Sequence, residues 1–135
     1  MGDAVSGKQV ILCIDDEQSI LKSLERCFLS AGYLVLKAES GAEALKILEQ
    51  NAGKVDLIIV DQRMPQMTGD AFLKAAREKY GRFTAIMLSG YADFESLVSA
   101  VNDGEIARFV SKPWNNQELL ETVKTILHRS AGQVK

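Results

Sequence analysis

The sequence predicts an α/β fold in which one parallel sheet is covered by helices on both faces. Short apolar runs alternate with helical periodicity along the chain, and the first and third runs are apolar throughout. Continuous apolar runs are typical of strands buried on both faces of a parallel sheet. Since successive crossovers are right-handed, we expect a single doubly wound sheet. Its five strand candidates are Val10–Ile14, Tyr33–Leu36, Leu57–Val60, Ala85–Leu88 and Phe109–Val110.

Five helices are predicted from apolar residues spaced three and four positions apart. Thr68 is expected to cap the third helix, and a glycine, Gly81, is expected to end it. Asn115 or Asn116 is expected to cap the fifth helix. The apolar faces fall in Ile20–Phe28, Ala44–Leu48, Phe72–Ala76, Phe94–Val101 and Leu119–Leu127.

Composition limits the classes of function that the chain can have. The 135 residues suit one domain, and the net charge of -2 gives no reason to expect direct binding to nucleic acid. One histidine and two cysteines do not favour a zinc site or a Ser-His-Asp triad. No apolar run is long enough to span a bilayer, and no signal peptide precedes the first strand, so a cytoplasmic protein is expected.

The domain boundaries follow from the ends of this pattern. Residues 1–8 are small and polar and are expected to form a flexible leader. Residues 9–129 are expected to form the domain, and residues 130–135 a tail or the start of a linker.

Polar residues follow four of the predicted strands, and we expect them to form the functional site. In open α/β sheets, ligands bind beyond the carboxyl ends of the strands. If the first, third, fourth and fifth strands lie close together, the side chains that follow them converge on one pocket. These residues are Asp15, Asp16 and Glu17 after the first strand, Asp61 after the third, Ser89 after the fourth and Lys112 after the fifth.

The chemistry expected of that pocket is phosphoryl transfer. Clustered carboxylates repel one another and need a cation, and oxygen ligands without His or Cys favour Mg²⁺. Lys112 and the Ser89 hydroxyl add groups that neutralise a transferring phosphoryl group. Asp61, at the centre, can act as the nucleophile and form an acyl phosphate.

Each of these residues also has a purely structural explanation. The acidic residues after the first strand favour a helix N-terminus, and Asp61 suits the turn before Met64 and Pro65. Ser89 suits a loop, and Lys112 a solvated surface. Each explanation is sufficient alone, but coincidence explains poorly why such residues follow four of five predicted strands.

Taken together, these residues resemble the receiver domain of response regulators in two-component signalling, the CheY-like superfamily. The resemblance runs from about Lys8 to Arg129. It rests on the combination and order of four motifs rather than on any one of them. The motifs are Ile14-Asp15-Asp16-Glu17, Asp61-Gln62-Arg63-Met64-Pro65-Gln66-Met67-Thr68-Gly69, Leu88-Ser89-Gly90 and Phe109-Val110-Ser111-Lys112-Pro113-Trp114.

The resemblance implies a ligand set for Mg²⁺ and a phosphoacceptor. Asp61 would accept the phosphoryl group and also bind the metal. Asp16 would bind Mg²⁺ directly and Asp15 mainly through water. The backbone carbonyl of Arg63 would be a further ligand.

The resemblance also implies how the phosphoryl group is sensed. Ser89 would contact the phosphoryl group and Lys112 would pair with one of its oxygens. Phe109 stands where the family has a switching Tyr or Phe, so Ser89 and Phe109 are expected to form the switch.

Further expectations concern topology and subfamily. The family has the flavodoxin-like strand order 2-1-3-4-5 and a cis peptide bond at the position of Lys112–Pro113. The Phe109–Trp114 stretch looks like receivers attached to HD-GYP phosphodiesterases or NtrC-like activators. Arg108 stands where winged-helix regulators usually carry an acidic residue, and it puts their dimer mode in doubt.

Arg63 and Tyr91 are expected to control how long the phosphorylated state lasts. They stand two residues after Asp61 and Ser89, respectively. Neither is a carboxylate or amide that would orient an attacking water, so slow self-dephosphorylation is expected.

The sequence therefore predicts a signalling phosphoacceptor and not a metabolic enzyme. Its expected partners are a sensor histidine kinase or phosphotransfer protein, and an output domain beyond Lys135 or a separate target protein. A homodimer is an open alternative, and no membrane partner is expected. Two other functions remain open: an Mg²⁺-dependent phosphohydrolase and an interaction module that is not phosphorylated. The adjacent Asp15-Asp16 differs from the Asp-x-Asp arrangement typical of such hydrolases.

Overall fold

The computed structural model describes residues 8–90 and 106–133 and contains a five-stranded parallel sheet. The strand order is β2-β1-β3-β4-β5, which confirms the predicted doubly wound topology. The central strands β1, β3 and β4 are buried almost throughout, whereas β5 at one edge is partly exposed. The strands are Val10–Ile14 (β1), Leu34–Ala38 (β2), Leu57–Asp61 (β3), Ala85–Ser89 (β4) and Arg108–Ser111 (β5).

Four α-helices lie in the described residues, and the last of them, α4, corresponds to the predicted fifth helix. It continues to Gln133, so the domain boundary drawn at Arg129 falls inside a helix. The predicted helix at Phe94–Val101 and residues 1–7 of the predicted leader lie outside the described residues. The helices are Gln18–Ser30 (α1), Gly41–Asn51 (α2), Gly69–Tyr80 (α3) and Asn116–Gln133 (α4), with a short 3-10 helix at Ala52–Lys54.

The predicted cap at Thr68 and the predicted end at Gly81 are both found, and one of the two predicted asparagine caps is found. The Thr68 hydroxyl accepts a hydrogen bond from the backbone N–H of Ala71, and α3 ends at Gly81 with a φ of 93°. At the start of α4, the side chain of Asn115 accepts a hydrogen bond from the N–H of Glu118 at 3.0 Å. Of the two asparagines proposed as caps, Asn115 is therefore the one that caps the helix.

The sheet separates two apolar clusters because successive side chains on a strand point to opposite faces. The A cluster packs against α2 and α3. The B cluster packs against α1 and α4. The strand residues of the A cluster are Leu12, Ile14, Ala38, Ile58, Val60, Ala85 and Met87. Those of the B cluster are Ile11, Cys13, Leu57, Ile59, Ile86 and Leu88.

Across residues 8–90 and 106–133, no helix combines the length and the apolarity that a bilayer crossing requires.

Candidate functional site

The carboxyl edge of the sheet brings Asp15, Asp61 and Lys112 together. Asp15 follows β1, Asp61 is the last residue of β3, and Lys112 follows β5. The ammonium of Lys112 lies 3.1 Å from Asp15 Oδ2 and 3.2 Å from Asp61 Oδ1. Lys112 therefore bridges two carboxylates that come from neighbouring central strands.

Asp15 is held in one orientation by the backbone around it. It is fully buried, and its N–H donates to the Ala38 carbonyl at 3.1 Å. Its Oδ1 accepts the backbone N–H of Glu17 at 2.9 Å, while Oδ2 faces Lys112. The contact with Glu17 was not predicted, because the sequence does not reveal how the chain turns between β1 and α1.

Burial changes the ionisation of all three groups. Burial and, to a smaller extent, the charge of Asp15 together raise the pKa of Asp61 to about 6, against the opposing effects of Lys112 and of a hydrogen bond from the Arg63 backbone. Burial likewise raises the pKa of Asp15. Burial alone would lower the pKa of Lys112, but the charges of Asp15 and Asp61 outweigh it and raise that pKa. Lys112 is thus held as a cation between two carboxylates.

Asp16 completes a group of carboxylates suited to a divalent cation. One oxygen each of Asp15, Asp16 and Asp61 lies within 4.8 Å of the other two. Asp15 and Asp61 are buried, whereas Asp16 is exposed, so the group opens toward solvent on one side. Three carboxylates without nitrogen or sulfur ligands fit a hard ion such as Mg²⁺ that retains some of its water.

Ser89 and Phe109 lie on neighbouring strands and on the same face of the sheet. Ser89 is the last residue of β4, is 5% exposed, and its carbonyl accepts the N–H of Lys112 at 3.1 Å. Phe109 pairs with Met87 in the β4–β5 register and packs against the A cluster. The side chains of Ser89 and Phe109 therefore point to the same side of the sheet, one step apart along neighbouring strands.

Of the two residues expected to control dephosphorylation, Arg63 lies beside the phosphoacceptor candidate Asp61. The side chain of Arg63 is exposed, and its backbone hydrogen-bonds to the Asp61 carboxylate. Tyr91 lies outside the described residues.

A set of hydrogen bonds behind Asp61 was not predicted, and it joins Gln62 to the start of α3. The side chain of Gln62 donates to Asp70 Oδ1 at 2.9 Å and accepts the Asp70 N–H at 2.9 Å. The Thr68 hydroxyl also donates to Asp70 Oδ1, at 2.7 Å. We call Gln62, Thr68 and Asp70 the loop clamp. Its one sequence signal is the short spacing of Thr68 and Asp70 at a predicted helix start.

An open groove of about 610 Å³ lies beside Lys112, between α1 and the loop after β5. Trp114 lines it, and its ring N–H donates to Asn116 Oδ1 at 3.0 Å. The peptide bond between Lys112 and Pro113 is cis, as the resemblance implied. The groove is lined by Glu17, Ile20, Ser23, Lys112, Pro113, Trp114, Asn115 and Asn116.

Comparison with known proteins identifies the family. Residues 11–124 match the family model described as the response regulator receiver domain. The chain belongs to this family. Receiver domains are generally signalling modules of two-component systems. The family resemblance predicted from the four motifs is confirmed.

The curated relatives of this receiver domain include NtrC-type transcriptional regulators, one of the two kinds of attachment that were expected. It is 37% identical over 121 residues to the hydrogenase transcriptional regulatory protein HoxA of Cupriavidus necator, covering 89% of this chain and 24% of the relative. It is 30% identical over 115 residues to the DNA-binding transcriptional regulator NtrC of Escherichia coli, covering 85% of this chain and 24% of the relative. The receiver domain thus spans about a quarter of the length of these two curated relatives.

A solved structure supports the same assignment. The signal receiver domain of an HD domain-containing protein from Pseudomonas fluorescens Pf-5 superimposes with a TM-score of 0.83 at 33% identity. The match covers 93% of this receiver domain and 98% of that chain.

Proposed function

We propose that this receiver domain is switched by phosphorylation of Asp61, with Mg²⁺ as the cofactor. The observation that carries the proposal is the contact of Lys112 with both Asp15 and Asp61, at 3.1 and 3.2 Å. A partly buried cation between two buried carboxylates, beside a third carboxylate, provides fixed charges of both signs where a phosphoryl group would sit.

Mg²⁺ would be held by Asp16 and Asp61 directly, by Asp15 mainly through water, and by the backbone carbonyl of Arg63. Both Asp15 oxygens already accept hydrogen bonds, which supports an indirect role for that residue. The metal would neutralise charge on the phosphoryl oxygens during transfer.

In the transfer step, one Asp61 carboxylate oxygen attacks the phosphorus of a phosphohistidine. A bond forms between that oxygen and phosphorus as the nitrogen–phosphorus bond breaks, and the histidine keeps the electron pair of the broken bond and takes a proton. Lys112 then pairs with a phosphoryl oxygen, and the Ser89 hydroxyl donates to another. Water later attacks the phosphorus, releasing inorganic phosphate and the Asp61 carboxylate.

Phosphorylation is proposed to act through Ser89 and Phe109. An inward movement of Ser89 toward the phosphoryl group would leave space that the Phe109 ring can enter, because both side chains lie on the same face of neighbouring strands. Two packings would then differ by contacts that the phosphoryl group makes in only one of them.

Receiver domains act with histidine kinases or phosphotransfer proteins, and we propose a kinase or phosphotransfer protein as the donor here. HoxA and NtrC are transcriptional regulators by name. An output domain beyond Lys135, or a separate target protein, would carry the response. The receiver domain itself could act as a homodimer. We place the protein in the cytoplasm, where such donors and targets meet.

The proposal is tested by incubation with acetyl phosphate and Mg²⁺, followed by intact-mass measurement. We expect one phosphoryl group on the wild type and none on Asp61→Asn. Asp56→Asn is a matched control because Asp56 is exposed at the opposite end of β3. Full labelling of Asp61→Asn would refute the assignment, and absence of label on the wild type would favour an unphosphorylated interaction module. Rapid multiple turnover of free phosphate esters would favour the phosphohydrolase.

A further inference from the structure

The loop clamp lies directly behind the proposed phosphoacceptor. Gln62 is the residue after Asp61, and its N–H donates to the Leu88 carbonyl at 3.0 Å, which extends the β3–β4 pairing by one residue. Its carbonyl accepts the Gly69 N–H at 3.0 Å. Since its side chain makes two further hydrogen bonds to Asp70, Gln62 is fixed from both the sheet and α3.

These bonds close the loop of residues 62–69 into a ring between the end of β3 and the start of α3. Arg63 lies inside that ring, next to Gln62. Its backbone hydrogen-bonds to the Asp61 carboxylate, and its carbonyl is a proposed ligand of Mg²⁺. The direction of that carbonyl depends on the path of the chain immediately after Gln62, and this path is fixed by the clamp.

The charge of Asp70 favours the clamp as observed. Burial opposes ionisation, but hydrogen bonds from Thr68 and Gln62 outweigh it and lower the pKa of Asp70. Asp70 therefore accepts as a carboxylate, and its bonds to the amide and the hydroxyl are charge-assisted.

We propose that Gln62 is a positioning residue for metal binding and phosphoryl transfer, acting through its paired hydrogen bonds with Asp70. This inference rests on the proposed function. By fixing its own position between Leu88, Gly69 and Asp70, Gln62 sets the backbone path between Asp61 and the Arg63 carbonyl, in the way that residues outside the ligand set orient metal ligands in other proteins.

The test reverses the donor and the acceptor of the clamp. Gln62→Glu replaces the donating amide with a carboxylate facing Asp70, so the pair repels. Adding Asp70→Asn supplies a donor on the other side, restores a complementary pair and returns the net charge to that of the wild type. Gln66→Glu is the matched control, because Gln66 is exposed in the same loop and the substitution adds the same charge.

The readout is the rate of labelling by acetyl phosphate as a function of Mg²⁺ concentration. For Gln62→Glu we expect the Mg²⁺ concentration at half-maximal rate to rise roughly tenfold, with a smaller change in the rate at saturating Mg²⁺. The double variant should recover most of that loss, and Gln66→Glu should stay within about twofold of wild type. Circular dichroism and thermal melts establish that the compared variants are folded, and a merely structural role would not separate the two rate parameters.

Two results would overturn the inference: an unchanged Mg²⁺ dependence in Gln62→Glu, or no recovery on adding Asp70→Asn. If Gln62→Glu does not fold, Gln62→Ala is measured instead, and an unchanged Mg²⁺ dependence in that variant has the same meaning. Failure of the proposed function is distinguishable, because the wild type itself would then take up no phosphoryl group.

Discussion

Gly69 lies directly against the backbone carbonyl of Asp61, so that a Cβ atom on Gly69 would be 2.6 Å from that oxygen and 2.9 Å from Met87 Sδ. Backbone cannot yield as a flexible side chain can. We therefore expect Gly69→Ala to lower the free energy of unfolding by about 1–3 kcal/mol, measured by urea denaturation. Gly53→Ala is the control, because a Cβ on Gly53 would meet open space. Equal stability of Gly69→Ala and wild type would contradict this close contact.

The protein without Mg²⁺ should be less stable at pH 7 than at pH 5. Burial raises the pKa of Asp61 from 3.8 to about 6, so between these values the folded state holds a proton that the unfolded state releases. The contribution of protonated Asp61 to the free energy of unfolding is fully present below pH 3.8 and is lost as the pH rises through 6. A shift of this size corresponds to at most about 3 kcal/mol.

Chemical denaturation with a chelator present, at a series of pH values, would measure this effect. Asp61→Asn should reduce the slope, and millimolar Mg²⁺ should restore stability at pH 7. The same slope in Asp61→Asn as in wild type would show that other groups cause it.

Asp16→Ala should weaken Mg²⁺ binding more than Asp15→Ala. Asp16 is exposed, whereas both oxygens of Asp15 are already engaged by Glu17 N–H and Lys112. We expect the dissociation constant to rise roughly tenfold or more for Asp16→Ala, measured through Trp114 fluorescence as Mg²⁺ is added. Glu17→Gln, which neutralises the next carboxylate along the chain, should leave it nearly unchanged. If both aspartate variants bind Mg²⁺ as tightly as the wild type, the proposed metal site is wrong.

Beryllofluoride, which mimics a phosphoryl group, should alter amide exchange in Arg108–Lys112. The expected cause is movement of Phe109 after Ser89 contacts the mimic. Ser89→Ala should therefore suppress the change although Asp61 is still present, and Asp61→Asn should abolish it. If Ser89→Ala responds like wild type, Phe109 is only a core residue and the switch lies elsewhere.

Loss of phosphate should be faster in Arg63→Asn and Tyr91→Glu, and fastest when both are combined, by about tenfold in the double variant. Each change introduces a side chain that can orient a water for attack on the phosphorus. Decay is followed by intact mass after removal of acetyl phosphate. Arg82→Asn removes an exposed arginine elsewhere and serves as the control. Identical decay in wild type and the double variant would rule out shielding by these two residues.

The central strands of the sheet could be predicted from the sequence because strands buried on both faces are continuous apolar runs. β1 was predicted with its observed bounds, and β3 and β4 each missed only the polar residue that ends the strand. The predicted bounds of the edge strand β2 lie too early in the sequence. The exposed Lys37 interrupts the apolar pattern, whereas backbone pairing continues to Ala38. Strand ends are set by pairing with a neighbour, which composition does not reveal.

The candidate site likewise has a part that the sequence predicts and a part that it does not. Asp15, Asp61 and Lys112 were predictable because each follows an apolar strand in the sequence, and the structure brings them into contact. The contact of Glu17 N–H with Asp15 and the pairing of Gln62 with Asp70 were not predictable. These contacts depend on how loops turn, as does the positive φ of 71° at Gln66, a residue type that gives no such signal.

The separation of the A and B clusters by the sheet has a consequence for how such a chain can diverge. By strand alternation, Asp15 and Asp61 continue the rows of Cys13 and Ile59 toward the B cluster, while Phe109 belongs with the A cluster. The two carboxylates and the aromatic ring of Phe109 are therefore backed by apolar layers on opposite faces of the sheet. Substitutions in the apolar layer around Phe109 can therefore change the response without altering the rows behind Asp15 and Asp61. The first turn of α3 is the exception, because Gly69 lies against the Asp61 carbonyl and Asp70 holds Gln62, so this turn is constrained by the site itself.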